Sequence, residues 1–418
     1  MKQVALVRAM VRNVLFPNNM TVSPTMYFNV TQRQQQNLSA PVDCIYVTRS
    51  ECTDGWFADF AIEYGKTYHV YLAIVVCCFG TIANMLNIAV LTRKDMASAP
   101  INRILTGIAV ADMMIMVEYI PFGYYYYVIL PGKMNFPYWG AVYMLAHMHF
   151  AQIMHTTSIC LTLTLAIWRY LAIGYPNQSH ILCSEGRCTL GIVLSYFLPV
   201  LLCFPTYFAF EIQSTTVTEE NENFILHHVG LSELANKHNY FVINFWLYAV
   251  VIKLLPCCIL TVISWWLIKT LFVAKKRKQV LRGYNACMMT DAPTTGGLTG
   301  GAPPRATKAE RRADRTTKML VAVVLLFLLT EFPQGIFGLL IGLKGNCFFN
   351  NCYHKFGEIM DLLALLNGSI NFILYCWMNR MFRITFGQLF KSKVLAKWVP
   401  PANSEIYTTS DNTGTSKL

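Results

Sequence analysis

The amino-acid sequence predicts an all-α membrane protein, a seven-transmembrane helix bundle with a short amphipathic helix after span seven. Three observations predict it. Seven long apolar stretches run at roughly 69–92, 101–128, 141–171, 187–210, 241–272, 317–342 and 355–378. Each has at least the roughly 20 residues that a helix needs to cross a hydrocarbon core, where a helix satisfies its own backbone hydrogen bonds. Apolar residues make up 55% of the chain and charged residues 13%, against about 25% charged in a soluble domain. The net charge of +12 is gathered between alternate spans: Arg93, Lys94 and Arg103; Arg187; the run Lys275 to Lys278 with Arg282, Arg311, Arg312, Arg315 and Lys318; and Arg380, Arg383, Lys391, Lys393 and Lys397. That bias places the N-terminus outside and the C-terminus inside, and it argues against nucleic acid as a partner.

Residues 1–68 read as an extracellular segment. Its sequons at Asn19, Asn29 and Asn37 are glycosylation candidates on the same side. Met1–Phe16 is basic and partly apolar, but Arg8 and Arg12 interrupt any apolar core, and the first span can itself direct insertion. Of fourteen cysteines, Cys44, Cys52, Cys347 and Cys352 fall outside. They are the disulfide candidates, and four cysteines allow three pairings. The transmembrane domain covers residues 69–378 and holds a flexible inner loop at about 283–308, rich in Thr, Gly and Pro. Residues 379–418 contribute the amphipathic helix, with Phe382, Phe386 and Phe390 on one stripe as in a helix on a membrane surface, and then a disordered cytoplasmic tail. No internal repeat is visible, which weakens a transporter reading.

Polar residues inside spans are costly, and each needs a reason. Span one carries Asn84 and Asn87, and span two carries Asp112. Span three ends in Trp168-Arg169-Tyr170. Pro256 lies in span five, and Phe327 and Pro333 lie in span six. Span seven carries Asn371-Phe-Ile-Leu-Tyr375. In this order and spacing the set resembles the rhodopsin-like (class A) G-protein-coupled receptors over about residues 69–390. Arg169 looks like the arginine of the Asp-Arg-Tyr motif, and Asn371 and Tyr375 like the ends of Asn-Pro-x-x-Tyr. The departures are Trp168 for the aspartate, Phe372 for the proline, and Thr330-Glu331-Phe332-Pro333 where Cys-Trp-x-Pro is usual. The usual disulfide from span three to the second outer loop cannot form, because neither 136–148 nor 211–240 holds a cysteine. The strings TLAIWRY, LLTEFPQGI and GSINFILYC look like the myosuppressin and FMRFamide-like neuropeptide receptors.

The resemblance implies a C-terminally amidated peptide ligand of Arg-Phe-amide type. It also implies a heterotrimeric G protein, with the inhibitory class favoured, and arrestin as partners, in a plasma membrane that supplies lipid contacts. It assigns Arg169, Tyr170, Pro256, Phe327, Pro333, Asn371 and Tyr375 to coupling and activation. Asp112, Ser158, Asn367 and Asn371 look like the family's sodium pocket, with a water-filled polar network as the alternative; no other cofactor is expected. The C-terminal Ser416-Lys417-Leu418 also resembles a PDZ-domain ligand.

The residues point the same way from chemistry. Glu118, Glu331, Glu358 and Asp361 gather in the outer half of the spans. An acidic cavity favours a cationic ligand, and an arginine there meets carboxylates in bidentate fashion. Glu211, Glu219, Glu220, Glu222 and Glu233 in the second outer loop read as solvated. Lys253, Glu331 and His155 should converge, and a Lys253–Glu331 ion pair between spans five and six is the economical way to bury both charges. Tyr119, Gln152 and Gln334 complete the expected ligand-contacting set. Trp168 and Ala313 stand where the usual restraints on Arg169 would be, with Asp314 next to Ala313 as a substitute.

The rival readings are an amine receptor, an opsin, a chemosensory or other peptide receptor of the same fold, a transporter, and an intramembrane enzyme. Residues 141–171 hold no aspartate for an amine, and the only lysine near the inside of span seven is Lys355, at its outer edge, out of place for a Schiff base. His147, His149 and His155 lack a nearby carboxylate or cysteine partner in sequence, so the chain is not read as an enzyme.

Overall fold

In the computed structural model, long helices run side by side and a β-hairpin covers one end. The structure describes residues 56–130, 135–219, 222–237, 240–270, 273, 308–344 and 354–390. Asn19, Asn29, Asn37, Cys44, Cys52, Cys347 and Cys352 lie outside the described residues, as do residues 283–307 of the expected inner loop and 391–418 of the tail.

The helices follow the apolar stretches. Helix α1 covers 56–91 and begins ahead of its apolar stretch, through Trp56–Glu63 and a widened turn at Tyr64–Tyr68. Helix α2 is Pro100–Ile129, with Pro100 in the first turn, where its missing N–H is not needed. Helix α3 is Tyr138–Gly174. Helix α4 is Glu185–Ala209, broken at Cys203 ahead of Pro205. Helix α5 covers 240–270 and widens at Leu247–Leu254, just before Pro256. Helix α6 is Lys308–Lys344, so it extends into the basic segment as the sequence suggests. Helix α7 is His354–Met378 and α8 is Arg380–Phe390. Among the described residues, six of these helices are long and apolar enough to cross a membrane, and α6 holds a shorter apolar stretch, Leu325–Leu340.

The end opposite the hairpin is closed by an apolar cluster that includes Ile104, Leu105, Leu161, Leu165, Trp168, Tyr375 and Phe382. Trp168 is therefore a core residue in the place of a charge. The stripe of α8 packs against the bundle at its start. Phe382 is fully buried against Phe372, Tyr375 and Phe386; the side chain of Phe390 lies outside the described set. Asn379 starts the helix by accepting from the Phe382 N–H at 3.2 Å. Arg383 donates to the last carbonyls of α7, at Cys376 and Trp377.

The hairpin is what the sequence reading lacks. Strands β1 (Phe210–Glu219) and β2 (Glu222–Leu231) pair antiparallel, from Phe210 opposite Leu231 to Glu219 opposite Glu222. The β-branched residues Ile212, Thr215, Thr216, Val217, Thr218, Ile225 and Val229 favour that state; the segment is read by its acids alone in the sequence. The hairpin is fastened to the start of α3 without a covalent bond. Phe136 and His227 exchange both backbone hydrogen bonds at 2.7 Å, and the His227 ring packs edge-on against Tyr138 with centroids 5.3 Å apart. This bridge occupies the region that a disulfide staples in the resembled family.

A pair that exchanges both bonds has Cα atoms about 5.5 Å apart, within the span of a disulfide. Phe136→Cys with His227→Cys is therefore expected to cross-link in membranes, detected by mass spectrometry as a linked peptide that reductant releases. Two free thiols under oxidising conditions would contradict the bridge.

Candidate ligand-binding site

A cavity of about 560 Å³ runs from Phe210 and Val229 on the hairpin to Asp112, Ser158 and Asn367 in the middle of the bundle. That volume lies in the range of small-molecule pockets. Its walls come from α2 to α7, and its aromatic lining includes Tyr119, Phe122, Tyr126, Tyr127 and Tyr248. Of the ligand-contacting set read from sequence, Tyr119, Gln152, His155, Glu331, Gln334, Glu358 and Asp361 line it. Glu118 and Lys253 do not.

The carboxylates differ in what already holds them. Glu118 is gripped by His147 Nδ1 at 2.7 Å, and it is the His147 ring, stacked 3.4 Å from Phe122, that lines the cavity. Glu358 accepts from Tyr127 and lies 3.0 Å from Nε2 of the fully buried His69. His69 also contacts the Tyr119 hydroxyl at 2.8 Å and the Tyr64 hydroxyl at 3.2 Å, so it ties α1, α2 and α7 together. Asp361 is different. Its side chain is exposed into the cavity, and among the described residues it has no hydrogen bond or ion pair.

Deeper, Lys253 and Glu331 meet. Both side chains are 0% exposed, with Nζ 2.6 Å from Glu331 Oε2. Lys253 donates a second bond to Gln334 Oε1 at 2.7 Å and stands 5.6 Å from the Tyr248 ring centre. His155 Nε2 reaches the same Glu331 Oε2 at 3.0 Å, so three spans meet on one oxygen. The other oxygen, Oε1, is buried without a partner among the described residues. Gly335 and Gly338 permit this approach of α6 to α5. A Cβ on Gly335 would lie 2.9 Å from Leu254, and one on Gly338 2.9 Å from Ala249.

The upper wall carries neutral amides. Gln152 donates to the Thr206 hydroxyl at 3.1 Å, and Thr206 donates to Asn244 Oδ1 at 3.1 Å. At the cavity floor, Asp112 accepts from the Ser158 hydroxyl at 2.7 Å and from the Asn371 amide at 3.2 Å. Asn84 holds the neighbouring backbone by donating to Gly368 O at 3.1 Å. Asn371 Oδ1 is buried and without a partner among the described residues.

At the α8 end, Arg169 Nε is buried with no hydrogen-bond partner among the described residues. Tyr170 packs on Trp266 with centroids 4.5 Å apart. Phe327 is buried with Ile159, Ala166, Cys257 and Leu260, and Tyr375 is buried beside Phe382. Pro256 follows the widened turns of α5, and Pro333 lies inside α6. The side chain of Asp314 lies outside the described set.

Sequence reasoning passed over His69, Tyr127, Thr206, Asn244 and Tyr248, and it weighed His147 only as part of a catalytic cluster. The signal for the two histidines was present, because an ionisable side chain within a span demands a partner. The partner of each sits on another helix, far away in sequence.

Comparison with known proteins places this arrangement. The model of the serpentine type 7TM GPCR chemoreceptor Srw matches residues 71–393. The chain is 28% identical to the G-protein coupled receptor dmsr-1 of Caenorhabditis elegans over 346 residues, which is 77% of this chain and 68% of that protein. It is 28% identical to the sex peptide receptor of Drosophila melanogaster over 81% of this chain and 76% of that one. It is 24% identical to the Drosophila melanogaster FMRFamide receptor, over 78% of this chain and 54% of that one. The chain is a rhodopsin-like, multi-pass membrane receptor with a seven-helix bundle, and it belongs to the serpentine 7TM GPCR family described as Srw.

Proposed function

We propose that this chain is a neuropeptide receptor of the plasma membrane, with its N-terminus extracellular and its C-terminus cytoplasmic. It binds a C-terminally amidated, cationic peptide of Arg-Phe-amide type and activates a heterotrimeric G protein, of the inhibitory class. The observation that carries the reading is Asp361, the one carboxylate among the described lining residues with no partner. A ligand guanidinium pairs with it bidentately. The aromatic lining at Phe122, Tyr126, Tyr127 and Tyr248 receives an aromatic side chain by edge-to-face packing.

The same inventory favours an amide terminus. Among the described residues no lysine or arginine lines the cavity, and nearby Lys253 is committed to Glu331 and Gln334. A free carboxylate would enter with no counter-ion and would meet Asp361. Relatives named for peptides favour this reading over a chemosensory ligand, which the family description suggests.

At the deep end of the cavity, Asp112, Ser158, Asn367 and Asn371 would hold a sodium ion. The orphaned Oδ1 of Asn371 supplies an oxygen that fits the ligand set of a hard cation. At the cytoplasmic end, Arg169, whose Nε has no hydrogen-bond partner among the described residues, would contact the G protein, with arrestin engaging the same face and a PDZ domain the C-terminus.

A peptide ending Arg-Phe-amide is expected to activate the receptor in cells, and its free-acid form to be at least about 100-fold weaker, because an uncompensated carboxylate is costly to desolvate. Equal potency of the two forms would remove the argument. Arg169→Ala is expected to abolish G-protein signalling while surface expression and binding of labelled peptide persist; normal signalling by that variant would refute its assignment.

A further inference from the structure

The Glu331 carboxylate has two oxygens in very different states. Oε2 takes both Lys253 Nζ at 2.6 Å and His155 Nε2 at 3.0 Å. Oε1 takes nothing from the described residues, although it is buried. Among the described residues that line the cavity, it is the one buried side-chain polar atom without a hydrogen-bond partner. Buried polar groups in folded proteins are nearly always satisfied, and an exception asks for a donor from elsewhere. Resting on the receptor reading above, we infer that Glu331 Oε1 is the subsite for the ligand's C-terminal carboxamide, which donates an N–H to it.

Charge decides between the two kinds of donor a peptide can bring. Glu331 already carries a full compensating charge from Lys253 at 2.6 Å. With His155 neutral the group is balanced, and with His155 protonated it is net positive. A ligand cation placed here would add uncompensated positive charge in a site where both side chains are fully buried. A neutral N–H adds none and satisfies the orphaned acceptor. The cation has a better place at Asp361, which is exposed and has no hydrogen bond or ion pair among the described residues. The two carboxylates thus divide the work, with the charged side chain at Asp361 and the neutral terminus at Glu331. The ligand therefore enters with its C-terminus leading.

The test compares two synthetic peptides ending in Arg-Phe, one as the methylamide and one as the methyl ester. They have nearly the same shape and differ in one N–H. On the full-length receptor in cell membranes, with ester integrity checked by mass spectrometry, the ester is expected to be at least about tenfold weaker, the loss of a hydrogen bond to a charged acceptor. In the paired variant Lys253→Met with Glu331→Leu, which removes both charges and the acceptor, the gap is expected to close to within about threefold. Equal potency on the unmodified receptor would overturn the inference and mean that water alone satisfies Oε1. A gap that persists in the paired variant would also overturn it and place the amide contact elsewhere. The comparison on the unmodified receptor stands even if the variant does not reach the surface. Failure of the primary amide to activate at all would instead overturn the receptor reading, and this inference with it.

Discussion

The ion pair between Lys253 and Glu331 sits where a membrane protein tolerates neither charge alone. Both side chains are fully buried in the middle of the bundle, where a lone charge costs several kcal/mol. Their meeting fixes the rest of the site. It requires α5 and α6 to touch, which Gly335 and Gly338 allow by leaving no Cβ in the seam. It coincides with the widened turns of α5 at Leu247–Leu254, which carry Lys253. It also removes Lys253 and one oxygen of Glu331 from the cavity's inventory. What remains for a ligand is one free carboxylate, a set of neutral amides and an aromatic wall.

Two noncovalent devices stand where the resembled family commonly uses a covalent or charged one. The hairpin over the cavity is held to α3 by the reciprocal backbone bonds of Phe136 and His227 rather than by a disulfide. At the other end, Trp168 fills an apolar cluster where an aspartate would restrain Arg169. Each trades a specific bond for packing. A bridge of two backbone hydrogen bonds opens far more readily than a disulfide, since each contributes only about 1 kcal/mol net.

Much of the bundle was legible in the sequence because hydropathy and charge bias act locally. The spans, the basic extension of α6 and the helix after span seven all follow from runs of neighbouring residues. The convergence of Lys253 with Glu331 was legible for a different reason: an ionisable group in a span must find a counter-charge, and few were on offer. What was not legible depends on partners remote in sequence. Glu118 and Glu358 read as open acids, yet His147 and His69 on other helices hold them. The solitude of Asp361 was equally hidden, because it is defined by what the surrounding helices withhold. The hairpin went unread since its acids drew the eye from its β-branched residues, and the inward turn of the Phe382 stripe depends on the α7 surface it meets.

The most direct test of this account is a double-mutant cycle on Lys253 and Glu331, read by surface expression and basal signalling. Removing one partner of a buried pair costs about 3–5 kcal/mol, whereas removing both leaves no lone charge. Lys253→Met and Glu331→Gln are each expected to impair the receptor, and the double substitution to recover part of the loss. Strictly additive effects would contradict the account, because residues that do not interact show no coupling.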